Sequence, residues 1–300
     1  MLKLVILIIY FAVLIGIGLY CRKHATDVNG FVLGGRSVGP WLTAFAYGTS
    51  YFSAVVFVGY AGQFGWKYGI AATWAGIGNA IIGSLLAWVV LGRRTRIMSQ
   101  HLDSATMPQY FGKRFGSNPL KIGASVIIFI FLIPYTASLY NGLSRLFGMA
   151  FNIDYSVCII IMATLTAIYV IAGGYMATAI NDFIQGIIML FGIVAVIAAV
   201  IHSKGGFMSA LQGLANVSDP AVSDTPGIFA SFFGPDPFNL LCVVILTSLG
   251  TWGLPQMVQK FYAIDNEASI QKGTVISTIF ALIVSGGCLL YTSPSPRDTR

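Results

Sequence analysis

Residues 32–69 read VLGGRSVGPWLTAFAYGTSYFSAVVFVGYAGQFGWKYG. The stretch is apolar enough to cross a bilayer, yet small and hydroxyl residues interrupt its middle: Gly48, Thr49, Ser50 and Ser53, then Gly59 and Gly62. In hydrocarbon every backbone N–H and C=O needs an internal partner, so a broken helix persists only where protein or a water-filled cavity surrounds it. A Gly-interrupted span of this kind is the pattern of a secondary transporter's midplane site, where unwound carbonyls coordinate a cation. A second interruption follows at 247–255, TSLGTWGLP, with Gly250, Gly253 and Pro255. It falls in a span five after the first broken one, the spacing expected of two inverted five-helix repeats. Gly and Pro are common in membrane helices, so the spaced pair carries the reading and neither break does so alone.

The rest of the chain fits a membrane protein. Of its 300 residues 56% are hydrophobic and 9% charged, with a mean hydropathy of +0.80; soluble domains carry about 25% charged residues. Apolar runs near the length of about 20 residues needed to span a bilayer place spans at 3–21, 41–65, 70–92, 121–147, 155–172, 183–202, 238–257 and 273–290. The first is too long, and lacks a small-residue cleavage site, to be a signal peptide. The net charge of +7 is a matter of topology, with no nucleic acid implied. With the N-terminus outside, eleven basic residues fall in inner segments and four (Lys3, Lys67, Arg145, Lys204) in outer ones, as the positive-inside rule requires. The inner loop 93–120 is basic and amphipathic, suited to the membrane surface. The outer loop 203–237, with Asp219, Asp224 and Asp236 among prolines, reads as a solvated connection.

Several chemistries are not signalled. The four cysteines lack CxxC spacing, so no zinc site or disulfide framework is expected. No GxxxxGK[ST] occurs, so nothing points to ATP hydrolysis. His24, His101 and His202 sit at span ends or in loops, and no His/Glu/Asp or Ser/Lys constellation marks an enzyme. The chain ends CLLYTSPSPRDTR; residues 288–300 read as a non-native tail, and 1–287 as the N-terminal part of a longer membrane domain.

FVLGGRSVGPWLTAFAYGTSYFSAVVFVGYAG resembles a signature region of the sodium:solute symporter family, which includes proline, pantothenate, sialic-acid and sugar symporters. IAGGYMATAINDFIQGIIMLFG (171–192) and GTWGLPQMVQKFYAIDN (250–266) are similar to two further family motifs. The resemblance covers about 1–287. It implies an all-α, leucine-transporter-type inverted-repeat fold with about eight spans present of about thirteen. Span 1 would be peripheral, spans 2–6 the first repeat, and spans 7–8 the start of the second.

The resemblance also implies a sodium-coupled symporter that imports a small organic solute by alternating access. That solute would be proline, pantothenate or another small carboxylate or amino acid, and no cofactor is needed beyond the coupling ion. The sodium ligands it places on this half are the backbone carbonyls of Thr49 and Phe52, the remainder lying beyond residue 300. Tyr51 stands where proline symporters carry an aspartate, closer to the pantothenate and carboxylate branches. A solute-sensing module joined to a sensor kinase is the alternative, which the full-length gene would decide.

Individual residues then take expected places. Ser53 reads as a hydroxyl near ion and substrate, against the alternative of bonding back to its own helix. Tyr51 and Tyr135 either line the substrate path or pack. Thr247, Thr251 and Trp252 flank the second break as cavity walls, with Gly48 and Pro255 marking the interruptions. Arg36 either gates the inner mouth by pairing with an acid or marks the positive-inside boundary. Asp182 is expected to cap the N-terminus of span six, which leaves no acid at membrane depth.

Overall fold

The computed structural model describes residues 2–52, 61–217, 222–223 and 225–291. Ser53, Gly59, Asp219, Pro220, Asp224 and residues 292–300 of the tail lie outside the described residues. The described chain is almost wholly helical: α1 Leu2–Cys21, α2 Val28–Leu33, α3 Pro40–Tyr51, α4 Ala61–Tyr68, α5 Thr73–Gly78, α6 Arg93–His101, α7 Met107–Phe115, α8 Asn118–Phe151, α9 Tyr155–Ser203, α10 Phe207–Ala215, α11 Pro237–Leu249, α12 Pro255–Ala263 and α13 Glu267–Tyr291. Between α5 and α6 the helix widens into π-turns over Asn79–Leu86 and Trp88–Gly92. Among the described residues four helical runs are long and apolar enough to cross a membrane: Ala61–His101, Asn118–Gly148, Tyr155–Ser203 and Glu267–Gly287. Val5–Cys21 and Pro237–Leu249 are shorter apolar helices.

The chain forms two compact units. Unit 1 comprises Met1–Tyr51, Trp88–Gly186 and Leu254–Thr274; unit 2 comprises Phe52–Ala87, Ile187–Gly253 and Val275–Arg300. In unit 1, α12 is the hub. Leu33, Val38, Tyr175, Ala179, Val258, Tyr262 and Ala263 form one buried cluster. Tyr47 of α3 packs its ring 5.7 Å from Phe261 and 5.5 Å from Trp88. Unit 2 has a core of Ala61, Tyr68, Ala71, Ala72, Ala75, Ile193, Leu240 and Val244. Its helices approach at small residues: a Cβ on Gly76 would lie 3.1 Å from the Gly286 nitrogen, and one on Gly78 would overlap Val244. Close backbone approach at small residues gives van der Waals contact where lipid supplies no hydrophobic drive.

One turn differs from the sequence reading. The connection expected between spans 5 and 6 is a single residue, Gly174, at φ 56°, ψ −149°, and helix resumes at once. Only glycine takes that conformation without cost. A Cβ there would also lie 2.7 Å from the Phe31 carbonyl oxygen. The inner loop 93–120 is largely helical, as α6 and α7.

Candidate functional site

The second interruption is present as expected. α11 ends at Leu249, residues 250–254 are turn and extended chain, and Pro255 opens α12, where its missing N–H is no loss. Thr247 donates to the Val243 carbonyl at 2.9 Å and Thr251 to that of Ser248 at 3.0 Å. Trp252 donates its indole N–H to Ile82 O at 3.0 Å, in the wide π-turn. Ser248, fully buried, donates to the Asn79 side-chain oxygen at 3.0 Å. Ser248 and Trp252 thus tie the end of α11 to the π-turn segment within unit 2.

Only the start of the first interrupted stretch falls among the described residues, which stop at Phe52 and resume at Ala61. α3 is helical through Gly48, Thr49, Ser50 and Tyr51, and the bend comes at Phe52. Thr49 fits the helix because its hydroxyl donates to Phe45 O one turn back, at 2.9 Å. Tyr51 and Phe52 are buried, at 7% and 3% exposure. Tyr135 is half-buried on α8, beside Pro134.

Asp182 corrects two expectations. It does not cap a helix: helix resumes at Tyr175, so Asp182 sits two turns inside it. It is also an acid within a run apolar enough to span a membrane. Its carboxylate pairs at 3.5 Å with Lys260 Nζ of α12, which is itself nearly buried. The Lys260 ammonium also lies 5.1 Å from the centre of the Tyr175 ring, a cation–π contact. The next residue, Phe183, packs its ring 4.8 Å from Phe45 of α3. Around the pair, the Asn181 amide, the Tyr175 hydroxyl and the Gln256 amide are buried with no hydrogen-bond partner among the described residues. Buried polar groups are nearly always satisfied, so this corner of unit 1 is chemically prepared for water or a polar guest.

Arg36 makes no ion pair among the described residues. It sits at φ 55°, directly after Gly34 and Gly35, which are also left-handed. From that turn its guanidinium donates to Ser104 O at 2.8 Å, to Ser99 O and the Ser99 hydroxyl at 3.2 Å, and to Tyr262 O at 3.3 Å. Burial, and then the neighbouring Arg96, lowers its pKa from the ordinary arginine value, which leaves it charged. Arg96 works alongside it, donating to Ile264 O and Asp265 O. A parallel bridge between Val38 and Ile264 completes the clamp. The start of α3 and the end of α12, one element from each interrupted segment, are therefore stapled together in unit 1. Composition hinted at Arg36, but carbonyl partners leave no mark in sequence.

Comparison with known proteins agrees with this geometry. The family model described as "Sodium:solute symporter family" matches residues 31–293. The osmoregulated proline transporter OpuE of Bacillus subtilis is 30% identical over 285 residues, covering 94% of this chain and 56% of its own length. A sodium/proline symporter of Staphylococcus aureus is 32% identical over 282 residues, covering 89% and 51%. The chain thus spans about half the length of the curated relatives it matches. A Na+-coupled sialic acid symporter, solved in a substrate-bound outward-open state, superposes with a TM-score of 0.75 at 18% identity over 97% of this chain and 61% of that one. The two chains therefore share a fold. With its interrupted helices, its multi-pass membrane character and a family match over most of its length, this chain belongs to the sodium:solute symporter family, a family of transporters, not enzymes.

Proposed function

We propose that this chain is the N-terminal part of a sodium-coupled symporter that imports a small organic solute across the cell membrane by alternating access. The observation that carries the reading is the interruption between Leu249 and Pro255. Its counterpart is the bend at Phe52 that follows α3, and paired interruptions of this kind mark the ion and substrate site of an inverted-repeat transporter. On this reading the two segments correspond in a leucine-transporter-type fold of about thirteen spans, of which about eight fall here. On the same reading the carbonyls of Thr49 and Phe52 are the sodium ligands of this half, and Ser53, Tyr51, Tyr135, Thr247, Thr251 and Trp252 are its candidate ion- and solute-proximal residues. Carbonyls suit sodium, a hard cation, and leave no fixed charge to trap it. The N-terminus is outside, as the eleven-to-four distribution of basic residues supports.

The relatives named for proline make proline one candidate solute, and Tyr51 is expected to decide among candidates. The test is uptake of labelled proline, pantothenate and related carboxylates by the full-length protein in proteoliposomes, under a sodium gradient or an equal potassium gradient. Accumulation that needs sodium supports the reading. Equal uptake under both gradients overturns it.

A further inference from the structure

Helix α7 is anchored on one face and exposed at its end. Met107 and Tyr110 pack on the Leu33–Tyr262 cluster, and the Tyr110 ring stacks on that of Tyr262 at 6.0 Å. The last turn, Lys113, Arg114 and Phe115, is exposed, Phe115 by 66%. Gly116, left-handed, turns the chain, and Ser117 caps the first turn of α8 by accepting from Leu120 N. That turn folds back on α7: a Cβ on Gly112 would lie 2.8 Å from the Lys121 Cβ. Arg114 reaches the Met98 sulfur of α6 at 3.4 Å. Arg94 lies one turn before Met98 on the same face of α6. Four cations, Arg94, Lys113, Arg114 and Lys121, are thus gathered where α8 begins.

Their acidic surroundings are sparse. Between 93 and 121 the sequence has one acid, Asp103, whose backbone carbonyl accepts from Lys113 at 2.6 Å. Glu267 is taken by Arg93 at 2.6 Å. Arg94 and Lys121 make no ion pair among the described residues.

Helix α8 supplies the other half of the surface. Over residues 118–138 only Ala124, Ile128, Leu132 and Tyr135 are half-buried, and every other residue is exposed. Ile122, Val126, Phe129 and Ile133 line one face at helical spacing, exposed by 63%, 50%, 70% and 59%. On a helix that spans hydrocarbon, such a face meets acyl chains. A lipid lying along it carries its phosphate to the first turn, where the cations stand.

We propose that the α7–α8 junction binds the headgroup phosphate of an anionic phospholipid, with Lys113, Arg114 and Lys121 as its cationic contacts, Arg94 beside them, and the Ile122–Ile133 face holding an acyl chain. This goes beyond the transport reading and does not depend on it. A phosphate near several Lys and Arg side chains gains about fivefold in affinity per cation, and the gain is screened by salt.

The test is native mass spectrometry of the delipidated chain in detergent, titrated with phosphatidylglycerol or with phosphatidylcholine of the same acyl composition. Phosphatidylglycerol is expected to bind more tightly by about thirtyfold or more, with the preference shrinking as salt rises. Arg114→Gln with Lys121→Gln should cut phosphatidylglycerol affinity by about twentyfold and leave phosphatidylcholine binding unchanged. Arg145→Gln, near the far end of α8, should change neither. An unaltered melting temperature of the double variant shows that the fold is kept, since both side chains are exposed. Equal binding of the two lipids, or insensitivity to the double substitution, overturns the proposal. So does full displacement of the lipid by glycerol phosphate at matched concentration, which would make the junction a site for any phosphate anion.

Discussion

The two units use the same secondary structure and hold it with different chemistry. Unit 1 contains thirteen basic and six acidic residues, unit 2 four of each, so the whole net charge belongs to unit 1. Unit 1 is fastened by guanidinium-to-carbonyl bonds, one buried ion pair and a Trp88–Tyr47–Phe261 ring cluster. Unit 2 is fastened by small-residue contacts and short hydroxyl bonds such as Ser84–Ser277 at 2.8 Å and Ser285 to Gly76 O at 3.0 Å. Charged fasteners are economical where water can solvate their outer edges, and ruinous in hydrocarbon. Small-residue fasteners work in either medium.

Arginine 36 offers the strongest way to break the contrast. Its removal takes the guanidinium donor from the Ser104 and Tyr262 carbonyls, each costing about 1–3 kcal/mol when left unmade, while Ser99 keeps its bonds to Ser104 and Arg96. Arg36→Ala should therefore destabilise the purified chain by about 4 kcal/mol, read by denaturant titration in detergent. Arg36→Gly should do slightly less harm, since glycine relieves the left-handed backbone at that position. If both variants unfold like the parent, the clamp is ornamental and the two units are held alike.

The Asp182–Lys260 pair comes next. Breaking a buried pair is costly because it leaves one charge alone, whereas removing both charges is often nearly neutral. Asp182 retains 23% side-chain exposure, so the single-variant cost is set below the fully buried case. Asp182→Asn and Lys260→Met are each expected to cost about 2–3 kcal/mol, and the double variant under about 1 kcal/mol. Additive losses would show that each side chain acts through other partners.

These two sites also show why parts of the molecule were legible in the sequence and others were not. GTWGLP announces a helix end by local chemistry, and the end is there. Gly48 and Thr49 looked like a break because their types permit one, but a threonine that bonds back one turn is equally at home in a helix, and α3 continues. Asp182 looked like a cap because span six was expected to begin at it. A kink at one glycine, at φ 56°, stands before it instead, and helix resumes early enough to carry the acid inside. Its lysine lies 78 residues away, and Arg36's partners are backbone carbonyls at Ser99, Ser104 and Tyr262. Neither relation is local, so neither could be read before the chain was folded. Composition and apolar run lengths were enough for an all-helical membrane protein, and the leucine-transporter-type fold was implied by the family resemblance of its motifs.

Unit 2 gives the third test. Gly78 has no room for a side chain against Val244, so Gly78→Val should cost about 2 kcal/mol through overpacking. Val244→Ala should recover most of it by emptying the same space. The same Gly→Val change at Gly253, which has nothing within 4 Å, should cost little. A large loss at Gly253 and none at Gly78 would mean that small residues do not set helix approach in this unit.

The smallest effects are expected where the chain passes between the units, at Phe52 and near Trp252. Trp252→Phe removes the indole donor to Ile82 O and should cost about 1 kcal/mol of stability. Phe52→Leu removes no backbone group. If sodium is held by the carbonyls of Thr49 and Phe52, that substitution should leave the sodium activation constant of the full-length protein within a few-fold. Because Gly48–Tyr51 is already helical, Gly48→Ala with Thr49→Leu should also leave it within a few-fold, losing only the hydroxyl bond to Phe45 O. A tenfold weakening, about 1.4 kcal/mol of ion binding, would instead mean that this stretch unwinds when sodium binds and that the substitutions hold it closed. Such a result would move the first interruption back from Phe52 to Gly48, leaving the carbonyl ligands in place and changing only the state in which they are offered. Loss of sodium activation on Asp182→Asn, with both of these variants unaffected, would move the coupling site from the carbonyls at the end of α3 to the buried carboxylate.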